Sequence, residues 1–277
     1  MTHTHASART GPASSAQERM LFLDQMETDR HAYTMPIHLD LTSDPDLGVL
    51  AGALADVATR HSSLRSVYSN DAGTVLRHLR PDPAVEVADC RGEPYRPRTF
   101  DLSTEIPFAA DLYDRSRLVL TVHHIAADGS SFGPLARDIM VAYAARANGD
   151  APGWEPLDIQ YADYALWQRR VLGQENDETS LSAQQIGYWL RTLDELPDQL
   201  DLPSDRPRPA VATNGGAKSR FVIDARIHKG LSEVARSHQA SLFMVVQAAY
   251  AALLSRLSGT TDIAMGAPIA GRAHEQL

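Results

Sequence analysis

The chain has 277 residues, enough for two subdomains that share buried cores, and its 43% hydrophobic and 22% charged content is that of an ordinary soluble globular protein. A net charge of −9 argues against nucleic acid or an acidic membrane surface as a partner, and the single cysteine, Cys90, excludes an internal disulfide and fits a reducing compartment. Met1 to Gly11 lacks an apolar signal core and no run reaches membrane-spanning length, so the expectation is a cytoplasmic protein without a membrane partner. In chain order, Met1 to Ala13 reads as a flexible lead-in. Residues 14–26 place Met20, Leu21, Leu23 and Met26 among helix formers and predict a short helix. His38 to Leu41 alternates as a strand does. Asp44-Pro45-Asp46 opens a helix, with Asp44 as cap and Pro45 in the first helical position. That helix carries Leu47, Leu50, Leu54 and Val57 on one face and ends near His61. Ser66–Tyr68 and Thr74–Leu79 predict a hairpin around Asn70 to Gly73, and Val85 to Val87 a further short strand.

Arg117 to Gly129 is the stretch around which the chain is organised. Its first half is β-branched and Leu-rich without Pro or Gly, which predicts a buried strand. Asp128-Gly129 then signals a turn, and residues 131–147 a helix that stops at Asn148-Gly149. Side chains alternate across a strand, so Leu118, Leu120, Val122 and His124 share one face if the strand runs through. His123 goes to the other face with Val119 and Thr121. Asp128 lies across the turn, placed either to orient an imidazole or to pair with an arginine from elsewhere in the chain. Gly129 permits a positive φ or the close approach of another group. Strand histidines are more often satisfied core residues than catalysts, and neighbouring strand positions point apart and do not chelate one ion. Spacing alone therefore predicts no metal site and leaves the chemistry open.

Beyond the organising stretch, Pro152 to Pro156 reads as a linker, and residues 159–172 and 182–196 as two helices carrying Trp167 and Trp189. Leu202 to Pro209 is a Pro-rich connector. A strand (Ser219 to Ile223), a helix (Ile227 to Ser237), a more apolar helix (Leu242 to Leu257) and a strand (Asp262 to Met265) follow, an α/β element beginning again.

The run from His123 to Gly129 matches the HHxxxDG signature of condensation domains from non-ribosomal peptide synthetases, which are relatives of chloramphenicol acetyltransferase. Ser15 to Gln25 resembles the family's first motif, SxAQxRxWFLxQ, with Leu21 in the tryptophan's place. Arg60 to Tyr68 resembles RHxxLRTxF, Tyr161 to Gln168 resembles YxDYAxWQ, Leu202 to Pro209 resembles LPTDRPRP, and Thr261 to Arg272 resembles the opening of the fifth motif. Phe100 to Leu112 resembles the FDLxxGPLxR approach only in part, since Glu105 stands at the glycine and no arginine follows. The motifs occur in family order and span nearly the whole chain.

The resemblance implies an α/β fold, an α+β two-layer sandwich of the chloramphenicol-acetyltransferase kind. It divides the chain into a lead-in (1–13), a first subdomain bearing HHxxxDG (14–175), a helix with Pro-rich connector (176–215) and the opening of a second subdomain (216–277). Family members continue past this point, so the second subdomain is expected to be incomplete.

The implied reaction is amide formation between two thioesters, each delivered on the phosphopantetheine arm of a donor or acceptor carrier protein; no cofactor is bound directly. Carrier proteins and neighbouring synthetase domains are the implied partners. His124 is the candidate for chemistry, either as base or as a group that positions the amine or the tetrahedral intermediate, with His123 as the lesser candidate. Gly129 offers a backbone N–H to the oxyanion. Asp128 takes the family's structural role in an ion pair, with Arg272 the best-matched partner and Arg65 the second. Ser130 and Ser131 border the substrate tunnel, Ser130 standing where many members have tryptophan. The segment after the motif, Ser131 to Asp138, resembles members that join two L-configured units, and the intact histidines exclude the cyclising branch. Two other readings remain open: a non-catalytic docking module that recruits carrier proteins or partner enzymes, and a free acyltransferase using a CoA thioester.

Overall fold

The computed structural model describes residues 10–26, 31–71, 73–197, 199–207, 209–210, 215–269 and 271. The chain divides into two compact units, the first reaching Gln185 and the second spanning Ile186–Ile269. In the first unit the elements run β1 (Thr10–Pro12), α1 (Ser15–Met26), β2 (Thr34–Asp40), α2 (Leu47–Arg60), β3 (Ser66–Asp71), β4 (Thr74–Leu79), β5 (Val87–Asp89), β6 (Phe108–Leu112), β7 (Arg117–His123), α3 (Phe132–Ala147) and α4 (Tyr161–Leu172). Helix α5 (Leu181–Thr192) carries the dividing line. The architecture is mixed α/β.

Strand β7 lies inside a four-stranded sheet of order β2-β7-β6-β5, and a second sheet has the order β1-β4-β3. β7 runs antiparallel to both neighbours, Leu120 standing opposite Ile37 on one side and Ala110 on the other. Every residue of β7 after Arg117 is buried, because both faces of the sheet are covered. On one face Leu118, Leu120 and Val122 pack with Leu50, Leu54 and Val57 of α2 and Leu135, Ile139 and Ala142 of α3. On the other, Ala109 of β6 joins Leu21 of α1, Tyr68 of β3, Val75 of β4, and Phe100, Leu102 and Ile125. A strand covered on both sides needs a near-continuous apolar run, which the segment 118–122 supplies with Thr121 as its one polar member.

Thr10–Pro12, within the stretch read as a flexible lead-in, instead pairs with β4, and the Ala13 that follows is fully buried. Local signals place most of the other elements where the sequence predicts them, with three further differences. The cap of α2 is Asp46, not Asp44: Asp46 is extended and its carboxylate accepts from the Gly48 and Val49 N–H groups at 2.8 and 3.0 Å. Asp44 instead pairs with Arg91 at 3.2 Å. The short strand predicted at Val85 to Val87 sits at Val87–Asp89, where the parallel ladder with Ala110 to Leu112 places it.

The third difference falls in the second unit, which holds α6 (Ala225–Ser237) and α7 (Leu242–Ser258). Asp224 caps α6 at the Ile227 N–H (2.8 Å), and Ser241 caps α7 at the Met244 N–H (3.2 Å). Ser219–Ile223 and Asp262–Met265 are irregular backbone, and no strand occurs in this unit among the described residues. Apolar alternation gives a strand only when a neighbouring backbone completes its ladder. Without one, Phe221 and Val222 are 84% and 92% exposed. No single helix among the described residues is long and apolar enough to cross a membrane; α6 and α7 reach that composition only together, and they are bent by 105°.

Candidate active site at the end of the central strand

The strand does not run through to His124. After His123 the chain reverses in a turn closed by the Ala126 N–H on the His123 carbonyl (2.9 Å), while the His124 N–H donates to the Tyr33 carbonyl (2.8 Å). His124 is therefore not on the buried Leu118 face that strict alternation assigns to it; its side chain is exposed. Ile125 turns inward and is 5% exposed, anchoring the turn in the core beside Leu21 and Tyr68. No cluster of three or more His, Cys, Asp or Glu that would hold a metal ion occurs among the described residues.

His123 lies fully inside, on the face opposite Leu118 and Leu120 as alternation predicts. Its Nδ1 accepts from the Ile125 N–H at 3.1 Å, which fixes the proton on Nε2, and Nε2 donates to Oδ1 of Asp24 at 3.2 Å. The rings of Tyr33 and Phe100 flank it, each with its centroid 6.5 Å away. Burial lowers the His123 pKa, the Asp24 carboxylate pulls it part of the way back, and the neighbouring His124 lowers it again; the outcome is below the ordinary value. The ring is thus a neutral Nε2–H imidazole with both nitrogens occupied.

Asp128 builds the next bend. Its Oδ1 accepts from the Ser131 N–H (3.0 Å) and the Ser131 hydroxyl (2.8 Å), and its own N–H donates to Ser131 Oγ (3.1 Å). This reciprocal cap starts the 3-10 turn Gly129–Ser131 that feeds α3. Ser130 is exposed, whereas the Ser131 hydroxyl faces Asp128. Gly129 has no positive φ, and a Cβ placed on it would meet nothing within 4 Å. Neither reason the sequence suggests for a glycine there is realised by the described residues. Arg272 lies outside the described residues. Arg65, the second candidate partner for Asp128, donates from Nη1 to the Arg80 carbonyl at 2.7 Å instead.

Two groups at this site carry no role in the sequence reading. Asp24 and Gln17 are 5% and 2% exposed on α1, and both reach the 123–126 turn. Gln17 Nε2 donates to Tyr68 Oη at 2.9 Å and makes a long 3.5 Å contact to the Ile125 carbonyl. A second unforeseen cluster holds α3 from behind: Asp138 accepts from Arg60 Nε (3.0 Å) and lies 2.7 Å from His61 Nε2. Gln17 and the Arg60-His61 pair do lie in segments that resemble family motifs, but their partners are far away in sequence and nothing local assigns them these contacts.

A family model described as a condensation domain matches residues 7–277. The chain is similar to a dimodular nonribosomal peptide synthase of Bacillus subtilis (strain 168), 43% identical over 281 residues, covering 96% of this chain and 12% of that protein. It is also similar to an isonitrile lipopeptide synthase of Mycobacterium tuberculosis, 42% identical over 286 residues, covering 96% of this chain and 11% of that one. Among solved structures it resembles the X-domain of teicoplanin biosynthesis in complex with OxyB, with a TM-score of 0.79 and 32% identity over 94% of this chain and 59% of that chain. The first condensation domain of the CDA synthetase shares the fold, with a TM-score of 0.61 and 20% identity over 92% of this chain and 64% of that one. The chain thus spans a small part of the curated relatives and under two thirds of these solved chains.

Proposed function

The chain belongs to the condensation-domain family, and on that premise we propose that it joins a donor aminoacyl or peptidyl thioester to an acceptor aminoacyl thioester by an amide bond. Both substrates arrive on the phosphopantetheine arms of peptidyl carrier proteins in the cytoplasm, among neighbouring synthetase domains. The acceptor amine attacks the donor's thioester carbonyl, a C–N bond forms, and the resulting tetrahedral oxyanion collapses with cleavage of the C–S bond. The donor arm leaves as a thiol, which takes the proton the amine has lost. Two arms meeting at one site supply proximity, worth about 7–11 kcal/mol of barrier in well-oriented cases.

One observation carries this reading: the two adjacent histidines are in opposite situations. His123 has both ring nitrogens engaged in the interior, while His124 is exposed at the strand's end. His124 is then the imidazole that takes the amine's proton, a contribution of about 10²–10⁴-fold for a positioned base. The Gly129 N–H, with open space beside it, is the donor for the oxyanion. Asp128 organises that bend, and the exposed Ser130 leaves the wall beside it small. The resemblance of Ser131 to Asp138 to members joining L-configured units supports the same configuration here.

A second reading, a docking module that recruits carrier proteins or partner enzymes, is favoured by the likeness to an X-domain solved with OxyB. The test mixes the chain with loaded donor and acceptor carrier proteins and follows dipeptidyl thioester by mass spectrometry. Product that disappears in His124→Ala supports the enzyme, with stability within about 0.5 kcal/mol of wild type because the side chain is exposed. Carrier binding without product would support docking, and turnover of free acyl-CoA would point to a CoA-dependent acyltransferase.

A further inference from the structure

The turn that presents His124 is not held by the sheet alone. Helix α1 reaches it at two points, and those points lie on one buried face of the helix. Gln17 and Asp24 are separated by about two helical turns, roughly 10 Å along the axis. Asp24 accepts the Nε2–H of His123 across a sequence separation of 99 residues. Gln17 points its Nε2 at Tyr68 Oη and the Ile125 carbonyl. One contact therefore grips the residue before His124 and the other the residue after it.

The grip is itself fixed. Ser14 and Gln17 form a reciprocal cap: the Ser14 N–H donates to Gln17 Oε1 (3.1 Å) and the Gln17 N–H to Ser14 Oγ (3.2 Å). With Oε1 so used, the amide of Gln17 has its NH2 group turned toward the Ile125 side. Helix α4 locks the start of α1 in turn: Tyr161 Oη lies 3.0 Å from Ser14 Oγ, Arg169 Nε donates to the Ala13 carbonyl at 2.8 Å, and Arg169 Nη2 pairs with Glu18. The chain of support runs from α4 to α1 to the turn. The segments resembling the SxAQxRxWFLxQ and YxDYAxWQ motifs thereby gain a mechanical role toward the histidine motif.

We infer that Asp24, assisted by Gln17, is a positioning residue that sets the direction of the His124 ring by clamping His123 and Ile125 to α1. The inference rests on the proposal that His124 is the acting group. What Asp24 must supply is an acceptor in the right place, since the Ile125 N–H already dictates which nitrogen of His123 carries the proton.

The experiment compares the full chain with Asp24→Leu, which cannot accept, and Asp24→Asn, whose Oδ1 still can. In the loaded-carrier assay Asp24→Leu is expected to lower kcat by about 10²-fold, the loss that a misplacement near 1 Å brings, with KM for both loaded carriers unchanged. Asp24→Asn is expected to restore most of the rate. On unreacted protein, ¹⁵N NMR is expected to show His123 as the Nε2–H tautomer, and Asp24→Leu to speed exchange of the His124 and Ile125 amide protons. Gln17→Met, which keeps side-chain length, serves for the same readouts should Asp24→Leu fail to fold. Unchanged rate and exchange in Asp24→Leu, or an Asp24→Asn rate as low as that of Asp24→Leu, overturns the inference. The two proposals fail separately. Product formation that survives His124→Ala removes the assignment of His124, while amide exchange still judges the clamp.

Discussion

Acidification should weaken the first unit through His123. Burial lowers its pKa below the ordinary 6.5 despite the pull of Asp24, and its Nδ1 has an N–H aimed at it that a second ring proton would meet head-on. Between the folded and unfolded pKa values the unfolded chain binds a proton that the folded chain refuses, so stability rises with pH there. The contribution is complete above the unfolded value and declines as pH drops below it, until the folded value is reached. Where the unfolded ring is protonated and the native one is not, each unit of pH below the unfolded value costs up to about 1.4 kcal/mol, a tenfold fall in the folding constant.

The assay is urea unfolding of wild type and His123→Asn at about pH 7.5, 6.5 and 5.5, with amide exchange at Ile125 as the local reading. Trp154, whose ring lies 4.9 Å beneath the Arg60 guanidinium, reports on the first unit by fluorescence. The variant should be less stable at neutral pH, having lost a filled site, but its stability should change less with acid than that of wild type. Equal acid losses in the two proteins, or a wild type that gains stability as pH falls, would refute the assignment of a neutral buried imidazole.

Two further outcomes follow from the geometry. Asp138→Ala removes the carboxylate shared by Arg60 and His61, its side chain 7% exposed, and should cost about 1–3 kcal/mol in urea unfolding by leaving the part-buried Arg60 and His61 side chains without that partner. Burial pushes the Asp138 pKa up, but His61 and Arg60 together hold it below the usual carboxylate value; its contribution is therefore present above about pH 4 and is lost as pH falls through the folded value. Asp46→Ala should cost about 0.5–2 kcal/mol as the loss of a helix cap, whereas Asp44→Ala should leave stability unchanged within error. The reverse ranking would return the cap to Asp44.

What the sequence made legible were features written in short-range periodicity. The apolar run of β7, the face of α2 with Leu50, Leu54 and Val57, and the Asn148-Gly149 stop of α3 each follow from spacing, and Gly149 ends that helix with φ 83°. The choice between Asp44 and Asp46 failed because both precede an apolar helix face, and only the backbone angle of Asp46 shows which carboxylate meets the free N–H groups. The strands expected at Ser219–Ile223 and Asp262–Met265 failed for a different reason: alternation says that a segment suits a sheet, not that a neighbouring strand exists. Asp24 was illegible because its partner is 99 residues away, and nothing local distinguishes it from a solvated helix residue.

The motif's two histidines illustrate how a small backbone event decides which imidazole is buried and which is exposed. Had β7 continued by one residue, His124 would stand on the face of Leu118, Leu120 and Val122, among the leucines of α2 and α3. An imidazole without a partner there would cost about 1–3 kcal/mol for its unpaired polar atoms, and it would be closed to any substrate. Ending the ladder at His123 avoids both consequences. The inward position goes to the imidazole with partners ready for each nitrogen, and the outward one to the imidazole that has none to satisfy in the core. The turn can form only because Ile125, with its side chain in the second core cluster and its N–H on His123, replaces the strand contacts that the reversal gives up. Substituting Ile125 by alanine would therefore reach His124 without touching it. The expected signature is a cost of about 2–5 kcal/mol in urea unfolding for the lost buried side chain, accompanied by faster exchange of the His124 N–H from the Tyr33 carbonyl. A variant that loses that stability while the His124 amide stays as protected as in wild type would show that Tyr33, just before β2, holds the turn by itself.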